Sequence, residues 1–284
     1  MMTHVMACID NSQSSLAVCD GAVWASQRLN APLTLLHVLD QERYPVPADL
    51  SGNIGLGSRE HLLEELAALD SQRAKLALAQ GRHLLETAHE RITTAGCDTC
   101  ELKQLHGHLA ESLSELEDDI RLLVIGRSGE HSAGTARSLG SQIEAVIRKF
   151  HRPIFITTDS FKKPDKVMLA FDGSATGQKT IQALIFSPLL TGLQVHIVMV
   201  GPDSEENKGK LDRARGALVG AGLQVQAEIR QGEVESTLEA YQAEQGIDFL
   251  IMGAYGHSRI RQFLVGSTTT TILRTTTLPV LLLR

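Results

Sequence analysis

Two glycines followed at a fixed distance by a Gly-Ser-Thr triplet give the C-terminal half of this 284-residue sequence a pattern that could bind phosphate. Two residues separate Gly253 from Gly256, and nine more lead to Gly266, Ser267 and Thr268. Glycines at the end of a strand let the backbone turn sharply and bring N–H groups close to an anion. A helix that begins at the triplet adds free N–H groups, the positive end of its dipole and two hydroxyl donors. The predicted chemistry of this segment is therefore phosphate binding.

The segment lies in the second of two similar halves, because the same landmarks occur twice in the same order. The landmarks are a strand that ends in aspartate (4–10 and 166–172), a second strand (33–38 and 195–200), a glycine with a Glu-Ser pair soon after it (Gly107 and Gly232), a strand that ends in glycine (122–126 and 249–253), a Gly-Ser helix start (Gly140 and Gly266), an arginine (Arg148 and Arg274) and a proline (Pro153 and Pro279). Seven landmarks in one order indicate an internal repeat of one domain.

Apolar strands alternate with amphipathic helical stretches in both halves. This alternation predicts parallel strands with right-handed crossovers, and thus a doubly wound α/β sheet in each half. We place the first domain at residues 1–159, with an insertion at about 41–80 that contains a polar helix, and the second domain at 165–284. A short polar linker with two lysines and a proline separates them.

The elements of the second half place further residues beside the glycine pattern. In an open parallel sheet the ligand crevice lies at the carboxyl ends of the strands, at the switch point of the topology. Asp172 ends the first strand of this half and Val200 ends the second. Both are therefore predicted to face the crevice.

With an aspartate that closes the first strand, the glycine pattern resembles the ATP-binding branch of the universal stress protein family, and nearly the whole chain resembles its tandem form. The resemblance implies two five-stranded sheets of order 3-2-1-4-5, of the adenine nucleotide alpha hydrolase-like type. It implies ATP or another adenine nucleotide as the ligand, with or without Mg²⁺. The nucleoside would be held by Asp172 and the backbone near Val200. The phosphates and ribose would be held by Gly253, Gly256, His257, Gly266, Ser267 and Thr268.

Each half ends in an apolar strand, at residues 154–156 and 280–283, and such a strand at a sheet edge must be paired or covered. The resemblance implies that two copies of the domain meet through this last strand. A tandem chain can make the contact internally, because the linker holds the halves at high effective concentration. We therefore expect an intramolecular pseudo-dimer. Two chains could associate further through the insertion.

The first half departs from the pattern. Its loop has ten residues instead of nine before the last glycine, and Glu130 stands where the second half has His257. Asn11 replaces Gly173. A carboxylate about 5 Å from a phosphate costs about 3 kcal/mol at an effective dielectric near 20, or about a hundredfold in affinity, unless an arginine of the loop offsets it. A weaker site is therefore predicted there, at Asp10, Val38, Gly126, Gly129, Gly140 and Ser141.

Composition narrows the class of protein. A formal net charge of −6 without a basic tract argues against binding of nucleic acid or an anionic membrane. No segment is apolar for long enough to span a bilayer, and the N-terminus has neither a basic region nor a cleavage site of a signal peptide. We therefore expect a cytoplasmic protein.

Cys97 and Cys100 form a CxxC pair with His106 and His108 nearby, which could indicate a zinc or redox site. The pair lies between a helix and a strand, whereas thiolate activation usually needs a helix N-terminus. We predict incidental cysteines and no metal site. A glycine-rich stretch at 52–57 follows no strand with a helix in the required register, so we predict a flexible loop there.

The glycine pattern supplies binding groups but no evident general base or lysine for phosphoryl transfer, so no catalytic residues are predicted. The leading hypothesis is a stress-associated protein that binds ATP or a related adenine nucleotide, chiefly in its second half. Two alternatives remain: a nucleotide-free interaction protein, as in the branch of the family whose loop is altered, and a slow ATP hydrolase.

Overall fold

The computed structural model describes residues 3–40, 58–129, 141–253 and 267–284. The first half contains β1 (His4–Cys8), α1 (Ser15–Leu29), β2 (Leu33–Asp40), α2 (Ser58–Thr94), β3 (Cys100–Gly107), α3 (Leu109–Glu115), β4 (Ile120–Gly126), α4 (Ser141–Lys149) and β5 (Ile154–Thr157). The second half contains β6 (Lys166–Ala170), α5 (Ala175–Ile185), β7 (Gln194–Val200), α6 (Glu205–Gly220), β8 (Gln224–Arg230), α7 (Val234–Gln245), β9 (Phe249–Gly253), α8 (Ser267–Thr275) and β10 (Val280–Leu283). Short 3-10 turns precede β4 (Glu117–Asp119) and β7 (Pro188–Leu190).

One sheet of ten strands runs through the described chain in the order β3-β2-β1-β4-β5-β10-β9-β6-β7-β8. Neighbouring strands are parallel within each half, and each half has the predicted order 3-2-1-4-5. The switch point of each half lies beside its first strand, β1 or β6, because the chain leaves that strand to one side and later returns on the other. The predicted α/β fold is confirmed.

The core is organised by sheet face and not by half. Alternating strand residues face opposite sides, so that Val5 and Ala7 join one apolar cluster while Met6 and Cys8 join the other. Helices α1, α2, α5 and α6 cover the first face, and α3, α4, α7 and α8 cover the second. Each cluster contains buried residues from both halves. The two domains therefore share two continuous cores.

The halves join through their last strands, as predicted. β5 and β10 are antiparallel, with Ile154, Phe155 and Ile156 opposite Leu282, Leu281 and Val280 in that order. All six side chains are nearly inaccessible to solvent. The pairing removes the two edges that the isolated halves would expose, because each strand gains its missing neighbour from the other half.

An aromatic cluster reinforces this junction on one face of the sheet. Trp24 on α1, Phe155 on β5 and Phe249 on β9 have ring centroids 5.3 to 5.9 Å apart, and Phe161 of the linker lies 5.6 Å from Phe155. Tilted and edge-to-face pairs of this kind contribute about 0.5–1.5 kcal/mol each beyond their buried area. The cluster ties the first half, the linker and the second half into one packed unit.

The helix predicted inside the insertion is continuous with the helix that leads to β3. α2 spans 37 residues, and its C-terminal part packs on β2 and β3 through Leu85, Ala88 and Ile92. Its N-terminal part exposes Leu66 and Leu69. No helix in the described ranges combines the length and apolar character needed to cross a membrane.

A buried histidine connects α7 to the sheet of the second half. His196 on β7 is buried, and its Nδ1 lies 2.9 Å from the hydroxyl oxygen of Tyr241 on α7. Burial and the charge of Lys166 lower the pKa of His196, and the carboxylate of Glu228 opposes them. The folded protein therefore favours the neutral imidazole.

Acidification from about pH 7.5 to about pH 5.5 should destabilise the protein more than it destabilises a His196→Gln variant. The unfolded chain, with a histidine pKa near 6.5, takes up a proton before the folded chain does. The stability that depends on neutral His196 is thus fully present above about pH 6.5 and is lost below it, by at most about 1.4 kcal/mol per pH unit. Denaturant unfolding of both proteins at the two pH values measures this. An identical loss in both would contradict the prediction.

Candidate functional site

Three of the predicted nucleotide-binding residues meet at one edge of the sheet in the second half. β6 lies between β7 and β9, so the segments after these three strands leave the sheet side by side. Asp172 follows β6 by two residues, Val200 ends β7 and Gly253 ends β9. The ladder between β6 and β7 ends at Ala170 and Val198, so the backbone of Val200 extends beyond it. The three residues therefore line a crevice at the switch point.

The carboxylate of Asp172 is exposed and open to this crevice. Within the described residues it accepts one hydrogen bond, from the N–H of Ser174 to its Oδ1 at 2.9 Å. The Ser174 hydroxyl caps α5 by accepting a hydrogen bond from the N–H of Gly177 at 3.0 Å. A Cβ atom at Gly177 would lie only 2.8 Å from Oδ1 of Asp172. Because Gly177 leaves that space empty, the carboxylate keeps acceptor positions for a ligand.

The turn between β6 and α5 forms one wall of the crevice. Gly173 adopts φ +69°, and a Cβ there would lie 2.9 Å from Cδ of Lys210 and 3.4 Å from Cε of Met199. The Lys210 ammonium lies 2.6 Å from Glu206 on the same helix. A side chain at position 173 would be strained by both the backbone and the neighbours. In the first half Asn11, at the matching position, does not have positive φ.

The predicted phosphate-binding end is partly described. A Cβ at Gly253 would lie 3.2 Å from Oγ1 of Thr180 and 3.3 Å from Cγ2 of Thr176, so α5 packs closely on the end of β9. Helix α8 begins at Ser267, and Thr268 lies in its first turn. The predicted residues outside the described ranges are Gly256, His257 and Gly266.

In the first half the corresponding carboxylate is held by serine hydroxyls. Oδ1 of Asp10 accepts hydrogen bonds from the N–H and the hydroxyl of Ser12, and from the Ser15 hydroxyl at 3.2 Å. The Ser14 hydroxyl lies 2.9 Å from that of Ser12 and donates to the carbonyl of Ser128 at 2.6 Å. This network links the start of α1 to the loop that follows β4.

The glycines of the first half lie against the same network. A Cβ at Gly126 would clash with the Ser14 hydroxyl, and one at Gly129 would lie 3.3 Å from Oδ2 of Asp10. The fold thus brings Asp10, Gly126 and Gly129 together, and the Ser14 hydroxyl and the Asp10 carboxylate lie against the two glycines. Gly140 lies outside the described residues.

A carboxylate also stands beside the start of α4 in the first half. This helix begins at Ser141, and Nε2 of Gln142 lies 3.3 Å from Oδ2 of Asp40. Asp40 follows Val38 by two residues, whereas Pro202 occupies the matching position of the second half. A negative charge at this place would repel a phosphate at the helix N-terminus. The two halves therefore present different electrostatics to an anion.

One difference between the two halves was not predicted from the sequence. Counted from the matching aspartates Asp10 and Asp172, Ser15 corresponds to Gly177. The Ser15 hydroxyl donates to the backbone carbonyl of Asp10 and lies 3.2 Å from Oδ1 of its carboxylate, whereas Gly177 has no side chain beside Asp172. An alignment of the halves on the two aspartates contains this signal, but the comparison of glycine loops does not.

Cys97 lies in the connection from α2 to β3, as expected, whereas Cys100 is the first residue of β3, and both are free thiols. Burial raises the pKa of Cys100 to about 11, which keeps its thiol protonated near neutral pH. A protonated thiol is a poor nucleophile and a poor metal ligand. Within the described ranges no cluster of three or more His, Cys, Asp or Glu side chains is arranged to hold a metal ion. The glycine-rich stretch at 52–57 lies outside these ranges.

Comparison with known proteins gives consistent matches along the chain. The universal stress protein family matches it twice, at residues 1–158 and 164–284. A universal stress protein from Synechocystis sp. is 34% identical over 287 residues, which cover 100% of both chains. A universal stress protein A homologue from Coxiella burnetii is 28% identical over 144 residues, covering 51% of this chain and 88% of its own. A solved universal stress protein from Archaeoglobus fulgidus has a similar fold, with a TM-score of 0.70 at 18% identity, covering 99% of this chain and 98% of its own.

Proposed function

This chain belongs to the universal stress protein family, and we propose that it binds an adenine nucleotide, ATP or a close relative, in its second half. The observation that carries the proposal is the open carboxylate of Asp172 at the switch point of the sheet. Binding crevices of open parallel sheets lie at this place, and a carboxylate with unused acceptor positions suits the hydroxyl donors of a ribose.

The neighbouring elements supply groups for the rest of the ligand. The backbone at Val200, beyond the ladder with β6, can exchange hydrogen bonds with the edge of a base. The first turn of α8 offers N–H groups and the positive end of the helix dipole to phosphate oxygens. Gly253 ends β9 between these two places. In this arrangement Asp172 and Val200 orient the nucleoside, and α8 holds the phosphates.

The first half fits this role less well. Oδ1 of the Asp10 carboxylate accepts hydrogen bonds from the N–H and the hydroxyl of Ser12, with the Ser15 hydroxyl 3.2 Å away, and Asp40 stands beside the start of α4. A nucleotide would have to displace the protein's own hydrogen bonds and approach an additional negative charge, both at a cost in affinity. We therefore assign nucleotide binding chiefly to the second half, with Asp10, Val38, Gly126, Gly129 and Ser141 forming a vestigial counterpart.

Titration calorimetry of the full chain with ATP, with and without Mg²⁺, tests the proposal. An Asp172→Asn variant should bind roughly ten- to a hundredfold more weakly, because a hydrogen bond to a charged group contributes about 1.5–3 kcal/mol. Asp10→Asn is the matched control and should leave the affinity unchanged. Thermal unfolding without nucleotide checks that both variants are folded.

The same titration separates the competing functions. An Asp172→Asn variant that binds as tightly as the parent would refute the site assignment, and so would a loss of affinity confined to Asp10→Asn. If the parent protein itself releases no heat with ATP and gains no thermal stability from it, a nucleotide-free interaction protein becomes the better description.

A further inference from the structure

Helix α2 extends far beyond the sheet that it covers. A Cβ at Gly81 would clash with the side chains of His37 and Gln104, so the helix crosses the sheet at that level. His37 lies three residues before the end of β2, which corresponds to about 10 Å along the strand. An α-helix covers the same distance in about seven residues. The helix therefore passes the strand ends near Ala74. The segment from Ser58 to that point projects by roughly 24 Å.

Exposed leucines follow one flank of the N-terminal half of α2, two of them in the projecting part and Leu76 just after it. Leu66, Leu69 and Leu76 have exposed fractions of 48%, 51% and 64%. At 100° per residue these three positions fall within about 80° of one another on the helix surface. The buried residues Ala77 and Gly81 lie outside this sector. We define Leu66, Leu69 and Leu76 as the leucine face.

The spacing of the leucine face is that of a helix pair. Positions 66, 69 and 76 correspond to a and d positions of successive heptads, and Arg73 occupies the a position between them. Most of the stability of a helix in a protein comes from the packing of its apolar face. The leucine face therefore suits burial against another helix.

Charges along the same helix point to the partner and its orientation. Residues 60–70 contain four carboxylates and no cation, and residues 71–83 contain three cations and no carboxylate. Two copies aligned in parallel would place like charges together, whereas antiparallel copies place the acidic segment against the basic one. The helix dipoles favour the antiparallel arrangement as well.

From these observations we propose that a second copy of this chain covers the leucine face, with the two α2 helices antiparallel. Leu66 of one copy then faces Leu76 of the other, and Leu69 faces Arg73. Asp70, which lies 3.9 Å from Arg73 in the same helix, can share that guanidinium across the pair. The dimer does not depend on nucleotide binding and uses a surface remote from the β5–β10 junction.

Sedimentation equilibrium of the full chain over a dilution series tests this dimer. The parent protein should dimerise, and Leu76→Glu should raise the dissociation constant at least about tenfold, because both contacts between Leu66 and Leu76 lose a leucine and gain a buried carboxylate. Phe186→Glu is the matched control, because Phe186 is an 85% exposed apolar residue at the end of α5. It should leave the dimer intact.

Charge reversal tests the orientation. Asp70→Lys and Arg73→Glu should each weaken the dimer, and the two together should restore it, because the antiparallel pair again opposes unlike charges at these positions. Circular dichroism checks that α2 keeps its helix content in each variant. A parent protein that stays monomeric throughout the series, a Leu76→Glu variant that dimerises as tightly as the parent, or a double variant weaker than both single ones would overturn the proposal.

Discussion

Removal of residues 279–284 should lead to aggregates or domain-exchanged oligomers. These residues contain β10, which lies between β9 and β5 in the middle of the ten-stranded sheet. Its four side chains are buried, and burial of a large apolar side chain contributes about 1.5–3 kcal/mol. The loss of roughly 6–12 kcal/mol is comparable to the whole stability of an average domain.

The truncation also exposes apolar strand edges. β5 and β9 would each lose a hydrogen-bonded neighbour, and the aromatic cluster at Phe155 and Phe249 would lose its cover from Leu281. Exposed apolar edges recruit other chains, which is why aggregation or exchange is expected and not simple monomeric unfolding. Light scattering and hydrogen exchange at Ile154 and Ile156 measure the outcome.

Deletion of Arg284 alone is the control, because it shortens the chain but leaves Val280–Leu283 in place. This variant should behave as the parent. If the protein without residues 279–284 stayed a soluble monomer with unchanged exchange protection in β5, the last-strand junction would not hold the halves together in solution.

Replacement of Gly177 by serine should weaken ATP binding by roughly ten- to a hundredfold, because it gives the second half the hydroxyl that Ser15 provides in the first. The new Cβ would lie 2.8 Å from Oδ1 of Asp172, and the hydroxyl would stand within hydrogen-bond reach of that carboxylate, as the Ser15 hydroxyl stands 3.2 Å from Oδ1 of Asp10. A ligand then has to displace that hydrogen bond before it can use Asp172.

The Gly177→Ala variant distinguishes the effect of the serine hydroxyl on ATP binding from the effect of the added Cβ atom. In both variants the Cβ would lie 3.0 Å from Cε2 of Phe171, so both should lose stability, by about 1–3 kcal/mol for overpacking. The alanine variant should nevertheless bind ATP more tightly than the serine variant. Calorimetry on the two variants, with thermal unfolding beside it, measures this difference. Equal affinities for the serine variant and the parent would show that the Asp172 carboxylate does not contact the nucleotide.

Structural elements that depend mainly on the local sequence could be predicted. Apolar runs bounded by glycine or proline predicted the strands, and the repeated landmarks predicted two similar domains. The topology followed because right-handed crossovers leave few possible strand orders. The last-strand junction was also predictable, because a hydrophobic edge such as 280–283 must be covered. The same reasoning brought Asp172, Val200 and Gly253 to one edge of the sheet, since carboxyl ends of parallel strands share an edge.

Only the tertiary structure decided how the hydrogen bonds of Asp10 and Asp172 differ within the described residues. The hydrogen bond from Ser14 to Ser128 joins residues 114 positions apart, and that between Gln142 and Asp40 spans 102 positions. No local pattern encodes such contacts, because they depend on how strands and helix starts stack in space. The distance by which α2 extends beyond the sheet could not be predicted for the same reason. Helical periodicity predicts which side chains share a face, but only the packing of α2 on β2 and β3 decides how much of the helix lies over the sheet.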